Sequence, residues 1–370
     1  MRLTASAICG TDLHFVRGTM PGVAEGRILG HEGVGVVEQI GDAVRNFQPG
    51  ERVVIGSTIG CGTCSYCRAG YYAQCDTANP NGPGTAFFGG PDDAGGFDGL
   101  QAEFARIPYA NVGMVRLPDE VTDDQAILLS DIFPTGYQAA ELAEVRDGDV
   151  VCVFGCGPVG QFAIWSAMHL GAGRVIAVDA IPDRLEAARA QGAEIVNFED
   201  EDPVSLIREM TGGIGPDRVI DAVGVDANRG PGSDDGEAEQ EIEEIVSARA
   251  SEGRNWQPGS GPTQVTRWAV EAIAKAGTLC LIGVYPPTVE RFPIGEAMMK
   301  NLTMTMGNCN HRRYLPRLVE LTRSGVVDPS ALITQIADTH DAIDAYQQFD
   351  ARRPGWLKVA LDPAAVGSGG

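Results

Sequence analysis

Two textures of hydrophobic patterning divide the chain. From residue 150 onward, short unbroken apolar runs alternate with stretches whose apolar residues recur at helical spacing. Val150–Phe154 is apolar and rich in β-branched residues, as a strand buried on both faces of a parallel sheet requires. Val159, Phe162, Ala163, Ser166, Ala167 and Leu170 then follow helical periodicity, Gly171-Ala172-Gly173 ends that helix, and 174–178 is a second apolar strand. The same alternation predicts helices at 182–191, 203–211 and 263–276, and strands at 194–198, 217–223, 278–284 and 302–306. Six strands with helices between them make a doubly wound α/β sheet.

Before residue 131 the texture is β-rich and interrupted by turns. Strands are expected at 2–8, 34–40, 53–55, 102–107 and 112–117, a glycine- and proline-rich loop at 79–99, and helices at 123–129 and 135–143. Helices at 314–324 and 341–349 and a strand at 356–361 read as a return to this first domain. The expected organisation is therefore 1–131, a second domain at 132–308, and 309–370 rejoining the first. The stretch 225–262 is polar, with an acidic run at 237–244. It reads as a surface insertion, or as a cover near a ligand, because it leaves the carboxyl end of a strand in such a sheet.

The turn between the first strand and helix of the second domain carries specific chemistry. Gly155-Cys156-Gly157-Pro158-Val159-Gly160 fits G-x-G-x-x-G, and Asp179 ends the next strand 19 residues beyond Gly160. The glycines allow a tight turn and bring backbone N–H groups at a helix N-terminus close to a pyrophosphate. The carboxylate is placed for a ribose 2′-hydroxyl and repels a 2′-phosphate, so NAD is expected over NADP; Ala180 brings no arginine to reverse that choice.

The net charge of −22, from 28 basic and 50 acidic residues, argues against nucleic acid or an anionic membrane surface as partner. Lysine occurs only at 275, 300 and 358, and an acidic, lysine-poor surface suits a salt-rich interior. No apolar run approaches the ~18 residues of a spanning helix, and no secretion signal precedes the first strand, so a cytoplasmic protein is expected. An odd count of nine cysteines does not suit a disulfide framework. Four of them, Cys61, Cys64, Cys67 and Cys75, form C-x2-C-x2-C-x7-C, which can close tetrahedrally on one structural Zn²⁺; an iron–sulfur cluster or unligated thiols are the alternatives. Cys9, His31, Glu32 and Asp131 remain. Singly, each has an ordinary explanation as a small buried side chain, a satisfied polar group or a helix cap, and spacing does not join them.

CGTDLH at 9–14, GHE at 30–32, the four-cysteine loop, SDIFPTGY at 130–137 and GCGPVG at 155–160 occur in an order that resembles the zinc-dependent medium-chain alcohol dehydrogenase family. The resemblance runs from Cys9 to Leu361. It implies a GroES-like, mostly-β catalytic domain beside a Rossmann sheet, two zincs per chain, NAD, and assembly as a homodimer or homotetramer. Cys9 and His31 match catalytic zinc ligands, and Asp131 stands at the third-ligand position. Aspartate there resembles the glutathione-independent formaldehyde dehydrogenase branch, so a primary alcohol or small aldehyde is the expected substrate. A polyol or threonine dehydrogenase is the alternative enzyme, and a nucleotide-binding regulatory relative the alternative outside enzymology.

The resemblance also implies roles around the zinc. Thr11 would take the hydroxyl proton and His14 would carry it toward solvent. Asp12 would orient His31, and Glu32 would stand beside the zinc and exchange with its water ligand. Arg184 would lie near the adenosine, Lys358 near the pyrophosphate, and Val159, Ile282 and Val284 against the nicotinamide. In two respects the chain departs from the pattern. Gly10 replaces a pyrophosphate-binding arginine found in some members. Only eight residues precede Cys9, where members carry further strands, so an exposed sheet edge is expected at the first strand.

Overall fold

A computed structural model describes residues 1–82, 84–230, 241–242 and 259–363. Of the acidic run at 237–244, only 241 and 242 lie within them. The strands are β1 (Arg2–Ile8), β2 (Gly33–Val36), β3 (Arg52–Ile55), β4 (Met114–Arg116), β5 (Val150–Phe154), β6 (Arg174–Asp179), β7 (Glu194–Asn197), β8 (Arg218–Asp221), β9 (Thr278–Leu281), β10 (Thr303–Met306), β11 (Gln335–Asp338) and β12 (Val359–Asp362). The chain divides into two compact units. One comprises Met1–Phe15, Pro21–Pro134 and Asn308–Gly370; the other comprises Val16–Met20 and Thr135–Gly307.

The first unit is built on a six-stranded sheet ordered β11-β12-β1-β2-β3-β4. Its register matters more than its size. Ile8 of β1 pairs with Val359 of β12, Ser6 with Gly33 of β2, and Gly33 with Ile55 of β3. One end of the sheet therefore gathers Cys9, which follows β1, His31 and Glu32, which precede β2, Ser57, just past β3, and Lys358, which precedes β12. The helix Asp123–Leu129 adds Asp131. It starts in a capping box, with the Thr122 hydroxyl accepting from the Gln125 N–H and the Gln125 side chain accepting from the Thr122 N–H. At its far end the Ser130 hydroxyl accepts from the Gly33 N–H at 2.9 Å and donates to the Ile55 carbonyl, which pins the start of Asp131's segment to β2 and β3.

Several expected elements differ. Residues 102–107 do not form a strand; they meet β1 only through a bridge between Arg2 and Phe104, flanked by bonds from Leu3 to Glu103 and from Ala105 to Met1. The segment expected as a strand at 112–117 begins as a short helix, Ala110–Gly113, and extends only from Met114. β2 ends at Val36, because Val37 turns to bond with Glu51 and Gly50 around the Pro49-Gly50 turn. β11 was not legible, since Gln-Ile-Ala-Asp is short, polar-ended and half exposed. β1 is not an edge: β12 and β2 bond to its two sides, and β4 and β11 are the outer strands.

The second unit contains an all-parallel sheet ordered β10-β9-β8-β5-β6-β7. Side chains of β5 alternate between two cores. Cys152 and Phe154 pack with Ile176, Val219, Leu279 and Trp268, while Val151 and Val153 pack with Ala163, Ala167 and Ala177. Apolar contact on both faces is why these strands read as continuous hydrophobic runs. Between β5 and the helix Pro158–His169 the chain turns through Gly155 at φ 88°, and a Cβ on Gly160 would lie 1.8 Å from the Gly155 carbonyl oxygen. Only glycine permits that approach. No helix among the described residues is long and apolar enough to cross a membrane.

Candidate active site

Cys9, His31 and Asp131 each present one donor atom, and the three atoms lie within 4.8 Å of one another. His31 Nε2 is 3.2 Å from Asp131 Oδ2, and Cys9 Sγ is 3.7 Å from the same oxygen. Bonds of about 2.0 Å to N and O and 2.3 Å to S set tetrahedral edges of about 3.3 Å for N···O and 3.5 Å for S···O. The observed separations match those edges, so the three groups fit one Zn²⁺ and leave a fourth position free.

The donors are held from behind. Asp12 accepts from the Cys9 N–H at 3.0 Å through one oxygen and meets His31 Nδ1 at 3.1 Å through the other. One carboxylate thus positions two candidate ligands and turns His31 Nε2 toward the site. Asp131 Oδ1 meets His311 Nε2 at 2.7 Å and Ser57 Oγ at 3.2 Å. Burial alone would raise the Asp131 carboxyl, but hydrogen bonds and positive charge from His31 and His311 outweigh it and hold the group well below the usual carboxylate range. Burial raises the Cys9 thiol, with His31 opposing. Burial would lower His31, yet the charges of Asp12 and Cys9 carry it well above the ordinary imidazole value.

Thr11 Oγ1 is 3.9 Å from Cys9 Sγ, and His14 lies three residues further along the helix Gly10–Arg17. His14 is buried and so does not reach solvent as expected, because the i, i+3 spacing turns it to the same inward side as Thr11. Lys358 also lies inside the first unit. Expected near a pyrophosphate, it is fully buried, and its Nζ donates to Glu32 Oε2 and to the Ile8 carbonyl at 3.0 Å. The pairing of Ile8 with Val359 sets Lys358 beside the end of β1. Glu32 is buried and bound through one oxygen, while Oε1 has no hydrogen-bond partner among the described residues. Burial raises its carboxyl, and Lys358 opposes that.

The four cysteine sulfurs also gather within 4.8 Å. Cys64 and Cys75 sulfurs are 3.9 Å apart, against about 3.8 Å for an S···S edge around zinc. Backbone N–H groups of Cys61, Cys64, Cys67 and Ala78 point at these sulfurs at 3.2–3.4 Å, an arrangement that favours thiolates. Burial pushes the Cys61 thiol up, but bonds from Thr63, Thr77 and Cys64 pull it down to about 5.

In the second unit Asp179 closes β6, and its carboxylate accepts from the N–H groups of Cys156 at 2.7 Å, Ala180 at 2.7 Å and Ile181 at 3.0 Å. It therefore tethers the glycine turn to the end of β6. Arg184 Nη1 is 4.0 Å from Asp179, and a Cβ on Gly157 would meet that guanidinium at 3.6 Å. Ile282 and Val284 run past the end of β8, where Ile282 bonds to the Asp221 carbonyl and Val284 to Val225. Sequence reasoning missed Asp221. This buried carboxylate receives the Tyr285 hydroxyl and the N–H groups of Val223 and Gly224, and so fixes that strand end.

A mostly-β unit with three- and four-donor metal sites, and a parallel dinucleotide sheet, define a metal-dependent dehydrogenase. Residues 1–119 match the alcohol dehydrogenase GroES-like domain and 158–229 match the zinc-binding dehydrogenase family. An uncharacterized zinc-type alcohol dehydrogenase-like protein of Bacillus subtilis is 37% identical over 98% of this chain and 92% of its own length. A glutathione-independent formaldehyde dehydrogenase of Pseudomonas aeruginosa is 33% identical over 98% of this chain and 89% of its own. The solved alcohol dehydrogenase of Thermus sp. ATN1 is 33% identical with a TM-score of 0.79, covering 98% of this chain and 91% of that one. The chain belongs to the zinc-dependent medium-chain alcohol dehydrogenase family. It is a zinc-type oxidoreductase that acts on alcohols.

Proposed function

We propose that the chain oxidises small primary alcohols, and formaldehyde as its hydrate, with NAD as hydride acceptor, and that Cys9, His31 and Asp131 hold the catalytic zinc. The observation that carries this reading is the tetrahedral spacing of three donors of which the third is a carboxylate. The Pseudomonas relative, named for formaldehyde, supports the substrate class. When bound, zinc supplies a Lewis acid that acidifies a hydroxyl at the open position, and NAD supplies the hydride acceptor.

The chain's own residues do the rest. Asp12 holds Cys9 and His31 in place. Thr11 would take up the substrate hydroxyl proton while giving up its own, and His14, buried further along the same helix, would receive it inside the protein rather than at solvent. Thiolate and carboxylate together offset the dication, and the Glu32–Lys358 pair adds no net charge behind them. Cys61, Cys64, Cys67 and Cys75 hold the second zinc without an open position. Asp179 selects the free 2′-hydroxyl of NAD.

The test is a panel of alcohols, polyols, threonine and aldehydes with NAD and NADP, with and without glutathione. Reduction of NAD by primary alcohols or formaldehyde, independent of glutathione, is expected. A preference for polyols or threonine, or an absolute need for glutathione, would sink the substrate assignment.

A further inference from the structure

The two oxygens of Asp131 are used differently. Oδ2 faces Cys9 and His31, at 3.7 and 3.2 Å, while Oδ1 faces away, onto His311 Nε2 at 2.7 Å and Ser57 Oγ at 3.2 Å. His311 is itself buried and held at its other nitrogen, where Thr58 Oγ1 lies 3.1 Å from Nδ1. Thr58 in turn donates to the Cys309 carbonyl at 3.3 Å. The ring opens the helix His311–Arg323 and closes over Gly56, where a Cβ would stand 3.1 Å from the His311 Cβ. An apolar side chain could fill this space; an imidazole brings a directed N–H.

That N–H has a use that depends on the residue at 131. A thiolate offers a metal one sulfur, whereas a carboxylate can bind through one oxygen or both. Bidentate binding by Asp131 would take up the position a catalytic zinc must keep open. We propose that His311 is a positioning residue for Asp131: its Nε2–H, aided by the Ser57 hydroxyl, holds Oδ1 off the metal so that Oδ2 alone is the ligand. This inference rests on the reading of Cys9, His31 and Asp131 as the catalytic zinc ligands.

The test compares His311→Leu and His311→Gln in the zinc-loaded enzyme and after Co²⁺ replacement at the three-ligand site. In His311→Leu, that site gives up zinc to a chelator with about 10–100-fold weaker affinity, while the four-cysteine site keeps its metal. Its Co²⁺ bands lose tetrahedral intensity as the second oxygen binds. Glutamine, whose amide N–H reaches the same oxygen, restores most of the affinity and the tetrahedral spectrum. Wild-type affinity and spectrum in the leucine variant would overturn the proposal, as would a glutamine variant that fails as badly as leucine. A wild-type chain that holds only the four-cysteine zinc, or Asp131→Asn with unweakened zinc binding, would instead overturn the ligand assignment beneath it.

Discussion

Lys358 and Glu32 give the first unit a buried charge pair whose removal can be followed locally. Their side chains are 1% and 0% exposed, and Nζ is shared between Glu32 and the Ile8 carbonyl. Lys358→Met takes the cation away and leaves the carboxylate in place, with Oε1 already without a partner among the described residues. Breaking one side of a buried pair costs about 3–5 kcal/mol. At 1.4 kcal/mol per decade, that is roughly a 100- to 4,000-fold rise in local opening. Amide hydrogen exchange in β1 and β12, whose residues 6–8 and 359–361 pair beside the lysine, reads it directly. Exchange in β5 and β6 of the second unit should not change. In the variant the lowering influence of Lys358 is gone, while burial and the nearby Asp131 charge still raise the Glu32 carboxyl against His31, so it rises further. A carboxyl whose folded value lies above its unfolded value of about 4.3 favours the folded state below that value and loses this contribution as pH rises through the folded value. The defect should therefore be slight near pH 5 and greatest near pH 8. Glu32→Gln added to Lys358→Met should recover most of the protection. Wild-type exchange in the single variant at pH 8, or no rescue by the second change, would refute the argument.

Two further outcomes follow from the other sites. Cys61→Ser should halve the zinc content and leave the three-ligand zinc in place, because the two donor sets share no residue; metal analysis after gel filtration measures it. Asp179→Asn removes the charge that repels a 2′-phosphate and keeps one acceptor oxygen, enough for the Ala180 and Ile181 N–H groups at the cost of the Cys156 bond. The ratio of kcat/KM for NADP over NAD should rise about tenfold or more, and an unchanged ratio would mean that Asp179 does not choose the cofactor.

How much of this was legible in the sequence depended on how local the determinant was. The unit from 150 to 179 could be read outright, because strand, glycine turn, helix and terminal acid are contiguous and Gly155 and Gly160 mark the turn they shape. The four cysteines could be read for the same reason. Cys9, His31 and Asp131 could not be joined by spacing, and only the family resemblance connected them. What joins them physically is the pairing of β1 with β2 and β2 with β3, a property of register that no single segment carries. The Lys358–Glu32 pair was not legible, because it depends on the β1–β12 register rather than on neighbours in sequence. His311 went unnoticed, although the chain has only five histidines and this one opens a helix directly after Cys309 and Asn310.

Asp131 and His311 are best understood as one device. Exchanging a thiolate for a carboxylate at a metal site keeps the charge but adds a second donor atom and a rotational freedom that sulfur lacks. Both must be suppressed if the metal is to remain open to substrate. Within the first unit, the Ser57 hydroxyl after β3 and His311 at the start of the helix His311–Arg323 supply that constraint through Oδ1, the oxygen turned away from Cys9 and His31, and Thr58 holds the His311 ring from its other nitrogen. The third ligand therefore cannot be exchanged alone. Asp131→Cys by itself would leave the His311 Nε2–H facing a weak sulfur acceptor in a buried site, at a cost of about 1–3 kcal/mol for a lost partner. A cysteine at 131 should become tolerable only when His311 and Ser57 are made apolar with it. A single Asp131→Cys variant that folds and binds zinc as tightly as the triple variant would show that the carboxylate and the imidazole are independent.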